Sequence, residues 1–154
     1  MLENQTNRAA TTTSALPSGK KGWNIDLDEF TSDVGAERVV TDTVALINGT
    51  VFFTSFKPTL DICGYGGNSF LWGVKYDTGG VPPANALTGK ALIQLSTGEF
   101  RELNLSEVLI DKGNRRTGET GTNAMTGKPP SDAPPIVSNS QNKPLKKILH
   151  IQEH

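Results

Sequence analysis

The sequence predicts a mainly β protein of short antiparallel strands, on three observations. Apolar and polar residues alternate in two runs, residues 23–28 and 70–77, as in strands with one buried face. Residues 51–56 form a continuous β-favouring run, which suits a strand buried on both faces. Asn48 and Gly49 precede that run and are a strong hairpin-turn signal. Together these segments have the size and spacing of one β-propeller blade.

Length limits how much of such a fold the chain can form. Its 154 residues correspond to one domain, and hydrophobic residues make up 35% of it, which is enough for a small core. A closed propeller needs at least four blades of about 40 to 45 residues each, so this chain supplies two or three at most. We therefore expect a partial β-propeller of blade-like sheets with long irregular loops, extended termini and unpaired strand edges.

Composition divides the chain into four segments. The first is polar without hydrophobic periodicity, so it is flexible or ordered by a partner. The second is the blade-like β region, which includes a further hairpin centred on Thr97 and Gly98. A Gly- and Pro-rich loop follows, and the last segment fits either a strand or a short helix. The segments are residues 1–21, 22–111, 112–135 and 136–154.

Residues 106–110, near the end of the β region, fit two structures. They form another strand or one helical turn capped by Ser106.

The overall charge excludes some partners. The formal net charge is −1, and no basic face is evident, which argues against nucleic-acid binding. No apolar run has the length of a membrane span, and the N-terminus lacks the apolar core of a signal peptide.

No catalytic or cofactor motif is complete. Gly64, Gly66 and Gly67 lack the helix-opening third glycine of a dinucleotide loop and predict an irregular connection instead. Asp26 and Asp28 fit the first and third positions of a calcium loop, but the fifth position and the following glycine are missing. We therefore predict no cofactor and no metal ligands, and we expect a protein that is not an enzyme.

The single cysteine, Cys63, cannot form a disulfide within the chain. Three interpretations stay open, of which a half-buried thiol is favoured. The second is a disulfide to a partner chain, and the third, a catalytic thiol, lacks a nearby histidine.

Two charged pairs also stand out. Glu37 and Arg38 are interpreted as exposed charges on a strand edge, with a buried Arg at a blade interface as the alternative. Arg115 and Arg116 are interpreted as part of a solvated loop, with contact to an acidic partner as the alternative.

Four motifs in a fixed order resemble a known family. They are Gly-Trp-x-Ile-Asp-Leu from Gly22, Glu-Arg-Val-Val-Thr-Asp from Glu37, Val-Phe-Phe-Thr-Ser-Phe-x-Pro from Val51, and Cys63 followed by Gly-Gly-x-Ser-x-Leu from Gly66. Their order resembles the C-terminal domain of the PilC/PilY-type tip-associated adhesins of type IV pili. The resemblance covers roughly a third to a half of the chain. Asn24 and Thr43 depart from the family pattern, which has an aromatic residue and a proline there.

The resemblance implies a modified β-propeller that acts in pilus assembly and adhesion. The implied partners are pilins, minor pilins or a second chain that completes the propeller. The implied location is the cell surface, or the periplasm and outer membrane. The family binds calcium through an Asp-rich loop that this sequence lacks.

We expect a joint with a partner at strand edges within residues 22–80, and the candidate interface residues are Trp23, Phe52, Phe53 and Trp72. Two alternatives are a subunit of an extracellular filament assembled through open strand edges and a quinoprotein-like propeller fragment.

Overall fold

The computed structural model describes residues 1–6, 15–30, 32, 35–46, 48–59, 66–110, 115–116, 125–126, 130–131 and 133–138. This part is mainly β, with short, mostly antiparallel strands in several sheets that do not close into a ring. The strands are β1 (Glu3–Asn4), β2 (Trp23–Asn24), β3 (Arg38–Val39), β4 (Val44–Ala45), β5 (Thr50–Pro58), β6 (Gly67–Lys75), β7 (Lys90–Gln94), β8 (Phe100–Asn104), β9 (Met125–Thr126) and β10 (Ile136–Ser138). No helix of these residues is long and apolar enough to cross a membrane.

The two longest strands form the centre of the fold. β5 and β6 are antiparallel over nine residues each, in a register that pairs Thr50 with Lys75 and Pro58 with Gly67. β3 and β4 pair with successive parts of the other edge of β5, and β9 pairs with β6. The strands predicted from the runs at residues 51–56 and 70–77 are therefore confirmed, although the second ends at Lys75.

The predicted turn between β4 and β5 is also confirmed. Gly49 has a φ of 82°, a conformation that residues with a Cβ rarely adopt. The Asn48 side chain accepts a hydrogen bond from the Thr50 amide at 3.2 Å, and Leu46 donates to the Thr50 carbonyl at 2.8 Å. Asn48 and Gly49 thus set the register at which β5 enters the sheet.

The strand predicted over residues 23–28 is wrong beyond Asn24. β2 ends there because side chains, and not a strand, accept from the next backbone amides. Thr6 Oγ1 accepts from the Asp26 amide at 2.6 Å, and Glu37 Oε2 accepts from the Asp28 amide at 3.2 Å. Period-two hydrophobicity cannot reveal such competition.

The described beginning of the N-terminal arm is ordered by its own chain. β1 runs parallel to β2, with Glu3 donating to the Gly22 carbonyl at 2.9 Å and Gln5 donating to the Asn24 carbonyl at 2.8 Å. The sequence predicts that this segment is flexible or ordered by a partner. For residues 3–5, the ordering contact comes from β2 of the same chain.

A second sheet has the strand order β10-β7-β8. The hairpin centred on Thr97 and Gly98 is confirmed, with Gly98 at a φ of 84°. Ser106–Ile110 form one π-helical turn, which decides between the two structures predicted there. β10 supplies a strand in the last segment, whereas the prediction for residues 139–154 lies outside the described part.

The main core lies between the two sheets. Phe52 and Leu71 contribute from one face of the central sheet, and Ala91 and Ile93 contribute from β7. Four leucines of β8 and of the segments outside the strands complete the core: Leu87, Leu103, Leu105 and Leu109. Burial of each large apolar side chain contributes about 1.5–3 kcal/mol, so this cluster is the main attraction between the sheets.

Candidate functional site

The face of the central sheet opposite the core carries a polar cluster. Because alternate residues share a face, Ser55 and Lys57 of β5 lie on the same side as Phe70 and Trp72 of β6. Other parts of the chain cover this side with charged residues. The resulting Arg116 cluster consists of Asp28, Glu37, Ser55, Lys57, Trp72 and Arg116.

The Glu37 carboxylate is the buried centre of the cluster. Its side chain is 0% exposed, and Arg116 Nη1 lies 2.6 Å from its Oε2. Oε1 accepts hydrogen bonds from the Ser55 hydroxyl and, at 3.1 Å, from Trp72 Nε1. A buried carboxylate is costly unless it is paired and hydrogen-bonded, and both conditions are met here.

Arg116 links the buried Glu37 carboxylate to Asp28 on the exposed side of the cluster. Its Nη1 lies 3.2 Å from Asp28 Oδ2, so one guanidinium contacts two carboxylates. The guanidinium carbon also lies 4.5 Å from the centre of the Phe70 ring and 5.6 Å from that of Trp72. A planar cation can stack and donate several hydrogen bonds together, which a lysine could not reproduce.

Asp28 forms the exposed side of the cluster. Its Oδ2 lies 2.8 Å from Lys57 Nζ. Burial raises the pKa of Asp28, but the hydrogen bond from Lys57 and the charge of Arg116 outweigh that effect and hold the pKa below its ordinary value. Asp28 is therefore charged at neutral pH, and two cations compensate it.

The neighbouring Arg115 fastens the N-terminal arm to the sheet. Its guanidinium donates to the Gly79 carbonyl at 2.9 Å and to the backbone carbonyls of Gln5 and Thr6. Its own carbonyl accepts from the Gly73 amide at 2.8 Å. Adjacent arginines thus hold two different parts of the chain against β6.

Two charge interpretations are wrong on this geometry. Glu37 is buried, not exposed on an edge, whereas Arg38 is exposed on β3 as expected. Arg115 and Arg116 are half-buried and contact this chain, so they are not part of a solvated loop. The sequence signal that could have found the cluster is weak, because no local pattern connects residues 28, 37 and 116.

The predicted interface residues have different environments. Phe52 is 0% and Trp72 6% exposed, so both pack inside the chain and offer little surface to a partner. Trp23 and Phe53 are half-buried, and an interface role for them stays a prediction. Trp23 Nε1 donates to the Tyr76 carbonyl at 2.8 Å, and Phe53 stacks on Trp72 at 5.7 Å between ring centres. Cys63 lies outside the described residues.

The Arg116 cluster is suited to holding segments together. Ser55 and Glu37 resemble a nucleophile and a base, but both are buried and Glu37 is occupied by Arg116. Asp28, which fits part of a calcium pattern, is compensated by Lys57 and Arg116. Within the described residues, no group of three or more His, Cys, Asp or Glu side chains is placed to hold a metal ion.

Comparisons with protein-family models, with curated proteins and with solved structures each found no significant match to this chain.

Proposed function

We propose that this chain is a non-enzymatic component of a type IV pilus system, part of a tip adhesin or assembly factor that acts through protein and surface contacts. The observation that carries this proposal is the ordered series of four motifs between Gly22 and Leu71. Pilins, minor pilins or a second chain are the proposed partners, at the cell surface or in the periplasm.

Contacts between the motifs support the proposal, because residues of separate motifs bond directly to each other. Glu37 of the second motif accepts from Ser55 of the third. Thr41 of the second motif lies 2.8 Å from the Thr54 hydroxyl and accepts from the Thr54 amide at 3.1 Å. The second and third motifs therefore lie side by side in this fold and bond to each other.

The finer proposal is that the two larger sheets are propeller blades, of which the second is incomplete. The order β10-β7-β8 gives three strands, and a propeller blade has four. The sheets are open in the described part, as expected of a chain too short to close a ring. Another polypeptide would then supply the missing strands and blades.

The test is to purify the tagged chain from its native host and identify the proteins that accompany it. We expect an exported pilus protein or minor pilins in near-stoichiometric amount. A chain of the same length with its motif residues Glu37 and Ser55 both replaced by Ala is the matched control, and should recover far less partner because the sheet is destabilised. Recovery of the wild-type chain alone, or only with proteins unrelated to pili, would contradict the proposal.

A further inference from the structure

Among the edge strands in the described part of the chain, β8 is the longest. The edges of β5 are covered by β3, β4 and β6, and β6 is contacted on its far side by β9 and by Arg115 and Arg116. β10 has only three residues and follows two prolines, a combination that discourages pairing. β8 has five residues, and within the described part of the chain only β7 pairs with it. The longest edge open to a partner therefore lies at β8, outside residues 22–80, and the joint expected within residues 22–80 stays a prediction.

The register of the hairpin defines which groups are open. Leu95 donates to the Glu99 carbonyl at 2.8 Å, and Leu105 donates to the Gly89 carbonyl at 3.0 Å. Hydrogen-bonded and non-hydrogen-bonded pairs alternate in an antiparallel ladder, so the odd-numbered residues of β8 bond to β7. The amide and carbonyl groups of Phe100, Glu102 and Asn104 consequently point to the open side.

The side chains beside this edge define what could pair with it. Leu103 faces the core and is 7% exposed, so a neighbour on that face must be apolar. Phe100 and Glu102 lie on the opposite face and are exposed, and Phe100 is 54% exposed. A matching strand therefore alternates an apolar residue beside Leu103 with a basic residue beside Glu102.

A second copy of β8 is a poor match. A two-fold axis in an antiparallel pair places one residue opposite its own copy, and only the axis at Glu102 pairs all five residues of β8. That register sets two Glu102 carboxylates directly opposite each other, which is destabilising. The charge pattern favours an extended segment of a different protein.

We propose that the open edge of β8 receives an antiparallel strand from a partner polypeptide, which completes the three-stranded sheet as a four-stranded blade. This inference rests on the proposed function, because the β8 edge would be the joint between this chain and the rest of the proposed propeller. The partner strand bonds to the backbone of Phe100, Glu102 and Asn104.

The test uses substitutions at the outward-facing positions in the tagged chain, purified from its native host. Glu102→Pro removes an outward amide, blocks strand addition and leaves the bonds to β7 in place. We expect the co-purified partner to fall about tenfold, and Phe100→Pro to act in the same direction. Glu102→Gln is the comparison variant: it keeps the outward amide and removes only the charge that pairs with Lys90, so it should lose clearly less partner than Glu102→Pro.

A partner that binds both proline variants as well as the wild type would overturn the inference, and would leave the pilus proposal intact if the partner is a pilus protein. A partner unrelated to pili that is lost with both variants would support the edge and contradict the pilus proposal. Chain recovered alone, or β8-dependent dimers of the purified chain, would overturn the inference. If the proline variants unfold, hydrogen exchange of the wild-type complex tests the inference instead. The amides of Phe100, Glu102 and Asn104 must exchange more slowly in the complex than in the chain alone, and unchanged exchange would overturn the inference.

Discussion

At the scale of single residues, the charge of Glu37 is the most consequential feature of the fold. It is fully buried beside β5 and β6, yet every described contact of its carboxylate comes from a donor. Arg116 supplies the compensating charge from a distant part of the sequence. Removing Arg116 would leave the buried Glu37 carboxylate without a counter-charge, whereas removing Glu37 would leave Arg116 with Asp28 as its one described counter-charge.

We expect Glu37→Gln to lower the free energy of unfolding by about 3 kcal/mol, because Arg116 loses its buried counter-charge and an amide replaces an acceptor oxygen. Urea denaturation measures this. Glu102→Gln is the control, since the Lys90–Glu102 pair has side chains 56% and 52% exposed and should contribute less than about 1 kcal/mol. Equal losses in the two variants would refute a buried ionic centre.

Asp28 makes stability depend on pH. Its pKa is lowered in the folded protein from an ordinary value of 3.8, so its contribution is complete above that value and is lost as the pH falls through the lowered pKa. We expect Asp28→Asn to be less stable than the wild type at pH 7, with the difference shrinking as the pH falls below about 4. Thermal melting from pH 7 to pH 3 measures it, and a difference that stays constant would show that the charge is irrelevant.

At the scale of elements, the hairpins determine which surfaces are closed and which are open. β5 is covered on both edges, whereas β8 is bonded on one edge within the described part of the chain. Glycines with positive φ in the turns hold these strands in register. The space around these glycines differs: a Cβ would collide with a neighbouring side chain at some of them and meet no atom at others.

Hydrogen exchange should alternate along β8. We expect the amides of Arg101 and Leu103 to exchange slowly and those of Phe100, Glu102 and Asn104 to exchange quickly, because only the first set bonds to β7. Residue-resolved exchange of the isolated chain measures this pattern. β5 is the internal control and should show no such alternation, and uniform protection of β8 would mean that its edge is covered.

Gly79 and Gly98 form a matched pair of turn substitutions. Both have positive φ, 68° and 84°, so alanine is strained at either position by about 1 kcal/mol. A Cβ on Gly79 would lie 2.4 Å from the Trp23 ring, whereas one on Gly98 meets nothing within 4 Å. We expect Gly79→Ala to destabilise the protein by at least about 2 kcal/mol more than Gly98→Ala in urea denaturation, because Trp23 must move. Equal effects would show that the Trp23 contact is unimportant.

At the scale of the whole molecule, the described part of the chain combines a buried apolar core with open sheets. The core lies between the two larger sheets, and the Arg116 cluster covers the other face of the central one. Open sheets of this kind present strand edges that a closed ring would not have.

We expect the purified chain alone to be oligomeric or poorly stable, because its sheets are open at their edges in the described part of the chain. Analytical ultracentrifugation and thermal melting test this, with the chain bound to its co-purified partner as the control. A cooperative, monomeric chain whose melting is unchanged by the partner would argue against the partial propeller.

Local residue patterns were sufficient for the strands whose bonding partners lie close in sequence. The β7–β8 hairpin, the Asn48-Gly49 turn and the extended run of β5 were predicted from alternation, turn residues and β-favouring side chains. These features depend on backbone preferences and on neighbours a few residues away. The class of fold was predictable for the same reason.

Only the tertiary structure decided where the charges go. The sequence by itself determined that β5 and β6 would be strands with aromatic faces, but nothing local predicted that Arg116 would lie over Phe70 and Trp72 and pair with Glu37. Side-chain acceptors ended β2 early, and the strand order left one edge of β8 unpaired among the described residues, because both depend on segments that meet only after the chain has folded. Sequence periodicity records which face of a strand is apolar, whereas burial of a charge depends on whether a distant counter-charge reaches it.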